Sequence, residues 1–160
     1  MVRRVDPRYS NNMIDAHVLD RTGGPEDAVV DEILSLADNE QLSVMLPHSV
    51  QREIQHPNTP QYVKQRAAGL LFTVPVQLTS GERDQHRKIR EILQGNAKPG
   101  KHDSDAYHVV EASKYGGYFI TNDRRILDKA PEIDRILQIM IVTPSEFLHM
   151  YRRCEKQYPQ

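Results

Sequence analysis

Four short apolar runs, separated by stretches of helical spacing, restrict this chain to few architectures. The runs are residues 11–16, 42–46 (LSVML), 118–121 (YFIT) and 138–142 (QIMIV). Runs this short, apolar and β-branched suit strands buried on both faces. Between them, Val30, Ile33, Leu34 and Ala37 recur at helical spacing within residues 27–38. Ile89, Ile92 and Leu93 do so within residues 82–94, and Ala106, Val109 and Val110 after Asp103, with Gly116 placed to close that helix. Strands alternating with helices predict an α/β fold. It is a three-layer α/β/α sandwich around a mainly parallel central sheet of four or five strands.

The punctuation refines this reading. Pro25 suits the first position of the helix over residues 27–38. Pro47 opens a helix that turns Val50 and Ile54 inward and leaves Glu53 at the margin of the inward face. Asn58 is placed to cap the following helix, with Pro60 in its first turn. Residues 72–78 contain Pro75 and read as an edge or connecting strand at best. A short helix follows Asp123 to Lys129 and is broken by Pro131, and a last amphipathic helix spans residues 144–153. Residues 1–10 read as a poorly ordered lead-in, and the end of the chain as a polar tail.

With 160 residues the chain is expected to form one domain with a core over about residues 10–145. A mean hydropathy of -0.64 and the lack of a long apolar run predict a soluble, cytoplasmic protein with no membrane span. The opening MVRRVDPRYS has no apolar signal core, and the single Cys154 excludes an intramolecular disulfide. A net charge of -1 does not advertise a nucleic-acid binder. The charges are uneven, however. Residues 83–101 hold Arg83, Arg87, Lys88, Arg90, Lys98 and Lys101 against Asp84 and Glu91. That stretch is either a solvated helix face or a patch that tracks phosphates.

The chemistry is concentrated in residues 102–127, HDSDAYHVVEASKYGGYFITNDRRIL. Acids at Asp103 and Asp105 open a helix, and a buried strand ends in the turn pair Asn122-Asp123. An acid at a helix start and another beyond a central parallel strand can converge where open α/β sheets bind ligands, at the carboxyl ends of strands. These residues resemble the C-terminal half of a PIN domain, a family largely of metal-dependent nucleases that includes the VapC-like ribonuclease toxins. Residues 13–19 (MIDAHVL) resemble its first strand, and residues 46–54 its second acidic position. The resemblance covers roughly residues 10–145.

It implies a catalytic metal site of Asp15, Glu53, Asp105 and Asp123, holding one or two Mg2+ or Mn2+ ions. Hard divalent cations take oxygen ligands, and two-metal phosphoryl transfer needs several carboxylates. Two carboxylates about 5 Å apart repel by about 3 kcal/mol at an effective dielectric near 20, so four together call for cations or retained protons. Simpler roles exist for each. Asp15 and Asp123 could cap turns, Asp105 could complement a helix dipole, and Glu53 could sit in a surface ion pair. Asp103 reads mainly as a helix cap. Thr121 and Asn122 could hydrogen-bond a ligand carboxylate or satisfy their turn.

His17 departs from the family, which has Asn beside the first Asp. His102, Asp103, Asp105 and His108 could form a separate His/Asp metal site, although a packed or hydrogen-bonded His108 is the simpler case. No nucleophile elbow or glycine-rich phosphate loop occurs. The resemblance thus implies an endoribonuclease in which an ion-activated water attacks RNA. Arg124 or a second ion would stabilise the leaving oxygen, and products would carry 5′-phosphate and 3′-hydroxyl ends. For a toxin it further implies an antitoxin partner and a homodimer. The alternatives are a non-catalytic PIN-like module binding RNA or protein, and a structure-specific DNA nuclease.

Overall fold

The computed structural model describes residues 5–159, with only the backbone of Leu71 and Phe72. Five strands form one sheet: β1 (Asn11–Ile14), β2 (Ser43–Leu46), β3 (Leu71–Phe72), β4 (Tyr118–Ile120) and β5 (Met140–Val142). Their order is β3-β2-β1-β4-β5, and every pairing is parallel. The α/β reading therefore holds. The order reverses between β1 and β4, where Met13 faces Phe119 in register. A reversal of this kind opens a crevice at the carboxyl ends of the two central strands.

Helices cover both faces: α1 (Glu26–Asp38), α2 (Gln51–Ile54), α3 (Gln61–Ala68), α4 (Ser80–Gln94), α5 (Asp103–Tyr115), α6 (Arg124–Asp128), α7 (Ala130–Leu137) and α8 (Pro144–Gln157). Strand alternation divides the apolar side chains between two cores. Ile14, Leu46, Tyr118 and Ile120 pack with α1, α3 and α8, where Ile33, Val63 and Phe147 are buried. Met13, Phe119 and Ile141 face the other way, onto Ile89 of α4, Val109 of α5 and Ile133 of α7. No helix among the described residues is long and apolar enough to cross a membrane.

Several local expectations need correction. Residues 5–10 are not a poorly ordered lead-in, and residues 1–4 lie outside the described residues. Asp6 caps a 3-10 turn at Pro7–Tyr9, and Arg8 pairs with Asp6 at 2.8 Å. The Arg8 guanidinium also donates to the carbonyls of Tyr158 at 2.8 Å and Cys154 at 3.2 Å, which ties this segment to α8. The core also extends past residue 145, because Phe147, Leu148 and Tyr151 of α8 are buried. That helix runs on to Gln157, through much of the expected tail.

Pro131 starts a helix instead of ending one. It lies in the first turn of α7, where a missing N–H costs nothing, and α7 ends at Gln138 in the left-handed region at φ 55°. The last strand is shortened accordingly. Asn58 does not cap α3, which begins after the extended Pro60. The edge strand β3 has two residues, and residues 73–79 are a connection. Gly116 does close α5, but in extended backbone at φ -124°. A Cβ there would lie 2.7 Å from the carbonyl oxygen of Asn11, so the approach of α5 to β1 requires glycine.

The basic stretch forms the outer part of α4 and the loop after it. Arg87 pairs with Asp84 at 2.6 Å and Glu91 at 2.9 Å, Lys88 with Asp84 at 3.3 Å, and Arg90 with Asp103 at 3.9 Å. The pairs of Arg87, Lys88 and Arg90 fit the reading of a solvated helix face.

Candidate metal centre

Asp15 follows β1 directly. Its N–H still bonds the carbonyl of Ile120 at 2.9 Å, so the sheet ladder fixes its backbone. Its carboxylate does not cap the 3-10 turn that follows at Ala16–Leu19. Instead it turns inward, with 3% of the residue exposed. The fully buried Thr121 hydroxyl donates to Oδ2 at 2.9 Å, the one hydrogen bond of this side chain among the described residues. Burial raises the Asp15 pKa, with Glu53 adding to the rise, while His17, Thr121 and His108 oppose it.

Glu53 arrives from β2. Pro47, extended at ψ 139°, leads into a 3-10 turn at His48–Val50 and then the single turn of α2. Val50 and Ile54 are buried as expected, which leaves Glu53 half-buried at the crevice. His108 of α5 donates from Nε2 to Glu53 Oε1 at 2.8 Å. That hydrogen bond and the charges of His108 and His17 hold the Glu53 pKa below its ordinary value against the opposing effect of burial. For His108, burial works against the charged ring, but Glu53, Asp15 and Asp105 outweigh it and raise the pKa.

Asp105 lies in the first turn of α5, where its charge suits the helix dipole. His102, the residue before the helix, places Nδ1 at a long 3.4 Å from Asp105 Oδ2. Asp105 and His108 are three positions apart, so they share a helix face.

Two groups of side chains could each hold a metal ion. Asp15, His17 and Glu53 form one, and Glu53, Asp105 and His108 the other. Within each group the ligand atoms all lie within 4.8 Å of one another. Unit charges at that distance repel by roughly 3 kcal/mol at an effective dielectric of 20. Each group pairs Glu53 with one further carboxylate and one imidazole, and in the first group Asp15 is almost wholly desolvated, so a divalent cation could offset the charge of either pair. Oxygen and imidazole nitrogen are both donors to such ions.

The remaining expected residues fall around this centre. Asp123 belongs to neither group. Its carboxylate accepts from the N–H of Arg125 at 2.9 Å and caps α6. Its own N–H bonds Thr121 Oγ1 at 3.0 Å, so Thr121 links the Asp123 turn to Asp15. Asn122 is partly buried in that turn. Arg124 is largely exposed and pairs with Asp128 at 3.7 Å. Asp103 is not a cap: it begins α5, makes no capping bond and reaches Arg90. The proposed set of His102, Asp103, Asp105 and His108 does not form as a unit. Glu53 replaces His102 and Asp103 in it.

Sequence reading overlooked Glu111 and Ser49. Glu111 is 1% exposed and accepts the Ser49 N–H at 2.8 Å. Ser49 Oγ in turn lies 2.7 Å from His108 Nδ1. A chain of contacts thus runs from a buried carboxylate through Ser49 and His108 to Glu53. The available signal was the spacing Asp105, His108, Glu111, which places polar residues along one face of an otherwise apolar helix.

The His108–Glu53 contact divides two grooves. One of about 360 Å³ is lined by His17, Asp20, Glu53 and Thr59 among others. The other, of about 630 Å³, is lined by Ser49, Arg52, Asp103, Tyr107 and His108 among others. Glu53 lines the first and His108 the second, so the two grooves adjoin at this contact. No protein-family model matches the chain, and no curated protein matches it.

Proposed function

We propose that this protein is a metal-dependent endoribonuclease of PIN-like type. One observation carries the reading: at the switch point of a parallel sheet Glu53 is shared by two groups of potential ligands, one with Asp15 and His17 and the other with Asp105 and His108. Paired carboxylates of this kind call for a cation, a retained proton or a charged histidine, and the first of these would make the site functional. Bound Mg2+ or Mn2+ would supply a Lewis acid for a phosphate oxygen and acidify a water. Asp15, locked by Thr121, would fix the ions against the sheet, and Glu53 and Asp105 would complete their oxygen donors. The two flanking grooves would hold the RNA strand on either side of the scissile phosphate. An accessible single strand fits these grooves better than a duplex, because the centre lies between them. An antitoxin covering the grooves and a homodimer belong to the same proposal.

A second reading is a non-catalytic module that binds RNA or a protein partner. It is favoured by Asp123, which caps α6 and stands outside both ligand groups, and by His17 beside Asp15. Cleavage of a mixed, structured RNA pool in Mn2+ or Mg2+ separates the readings. The control arms are a chelator and Asp105→Asn. The nuclease reading expects cleavage by the parent chain alone, abolished by chelator. Equal inertness of parent and variant, with no metal bound by calorimetry, would overturn it.

A further inference from the structure

We infer that the centre is a mixed nitrogen and oxygen site for two first-row transition cations. Glu53 bridges them, His17 ligates one and His108 the other. The inference rests on the metal-centre reading above and specifies which ions it takes.

Three observations carry it. Each group contains exactly one histidine, and Glu53 is common to both. A carboxylate has two oxygens and can serve two ions, whereas each imidazole offers one nitrogen to one ion. His108 is also built as a ligand. It is 4% exposed, yet Nε2 is aimed at Glu53 and its group includes Asp105. Its other nitrogen is held at 2.7 Å by Ser49, whose backbone N–H is anchored to the buried Glu111. Metal-binding histidines are oriented by such a contact on the outward nitrogen. Finally, Asp15 is buried and its carboxylate accepts one hydrogen bond among the described residues, which leaves oxygen lone pairs for an ion in the first group.

The ligand set decides between cations. Mg2+ favours oxygen and retains water, whereas imidazole suits transition ions. On binding, the ion takes the place of the proton between His108 Nε2 and Glu53, and that proton leaves to solvent. A site of oxygen donors alone would discriminate less between Mn2+ and Mg2+.

The test uses the full chain with Mn2+ and reads nitrogen coordination by pulsed electron paramagnetic resonance, beside Mn2+ and Mg2+ calorimetry. The expected result is two Mn2+ per chain, 14N modulation, and at least a 100-fold preference for Mn2+ over Mg2+. His17→Asn should remove part of the modulation. His108→Gln, which keeps a hydrogen-bond donor toward Glu53, should remove more. Each should reduce the preference at least tenfold. His17 is exposed, so that variant stays informative if His108→Gln fails to fold. Mn2+ bound without 14N modulation would overturn the histidine assignment and leave the acidic centre standing. No Mn2+ bound by the folded parent chain would overturn both.

Discussion

The carboxyl end of the sheet and the outer face of α4 use the same residue types to opposite effect. On α4, Glu82 completes a capping box with Thr79 and meets Lys114 at 2.6 Å. Lys114 first, then Thr79, lower its pKa to about 2. Asp84 is likewise lowered by Arg87 and Lys88. At the sheet end, Asp15 is buried against another carboxylate and its pKa is raised. Acids on the helix face are stabilised by partners that water also screens. Asp15 in the crevice is held there by the ladder and by packing, with one hydrogen bond to its carboxylate. A surface places charge where it is easily compensated. The crevice places Asp15 where burial outweighs its partners.

The strongest way to break this contrast is Asp15→Asn. It should lower metal-dependent cleavage at least about 100-fold, more than loss of an outer supporting contact would. In chelator the same variant should melt higher than the parent chain, because a desolvated acid is gone. A variant that melts lower in chelator would show that Asp15 stabilises the apo fold and would remove the contrast.

Next, saturating metal should stabilise the sheet end. At a free cation concentration near 100 times Kd, the gain is about 2.7 kcal/mol, or roughly 5–10 °C for a domain of this size. Scanning calorimetry with Mn2+, with Asp105→Asn alongside, measures it. An unchanged midpoint for the parent chain would deny that the crowded acids serve a cation.

Acidity then sharpens the comparison by sign. Asp15 retains a proton in the native state above its ordinary 3.8, so stability falls as pH rises through its raised pKa. His108 contributes stability below 6.5 that is lost as pH rises through its raised value. Metal-free protein should therefore lose melting temperature above pH 6.5, and His108→Gln should flatten that decline. Glu53 acts on the other limb: its contribution is present above 4.5 and is lost as pH falls through its lowered value.

The smallest effect is expected on α4. Glu82→Gln should lower the neutral melting temperature only slightly, because an exposed ion pair is worth little, and should leave the metal response unchanged. Glu82 contributes above 4.5 and loses that contribution as pH falls toward about 2, so the variant should lack this acid step. Melting curves taken between pH 2 and 5 would show it. A marked loss at neutral pH would mean that the helix face carries more stability than exposed ion pairs usually do.

Much of this architecture was legible from local pattern. YFIT and LSVML are short, apolar and β-rich, and each became a central parallel strand. Local chemistry misled where it is degenerate. Pro131 can end one helix or begin another, and only the left-handed Gln138 and the packing of Ile133 reveal α7. Asp123 had two roles open, and the Arg125 N–H accounts for the capping one.

The sequence by itself determined the alternation of strands and helices, the acids at strand ends and helix starts, and so the class of fold. Periodicity and turn chemistry act over a few residues, and these are encoded there directly. Only the tertiary structure decided which acids meet. Asp15 and Asp105 each come within reach of Glu53 through the reversal of strand order between β1 and β4 and the approach of α5 to the sheet. His108 reaches Glu53 across 55 residues of chain, and Glu111 reaches Ser49 across 62. Burial, charge compensation and second contacts are properties of that assembled neighbourhood, and no single segment carries them.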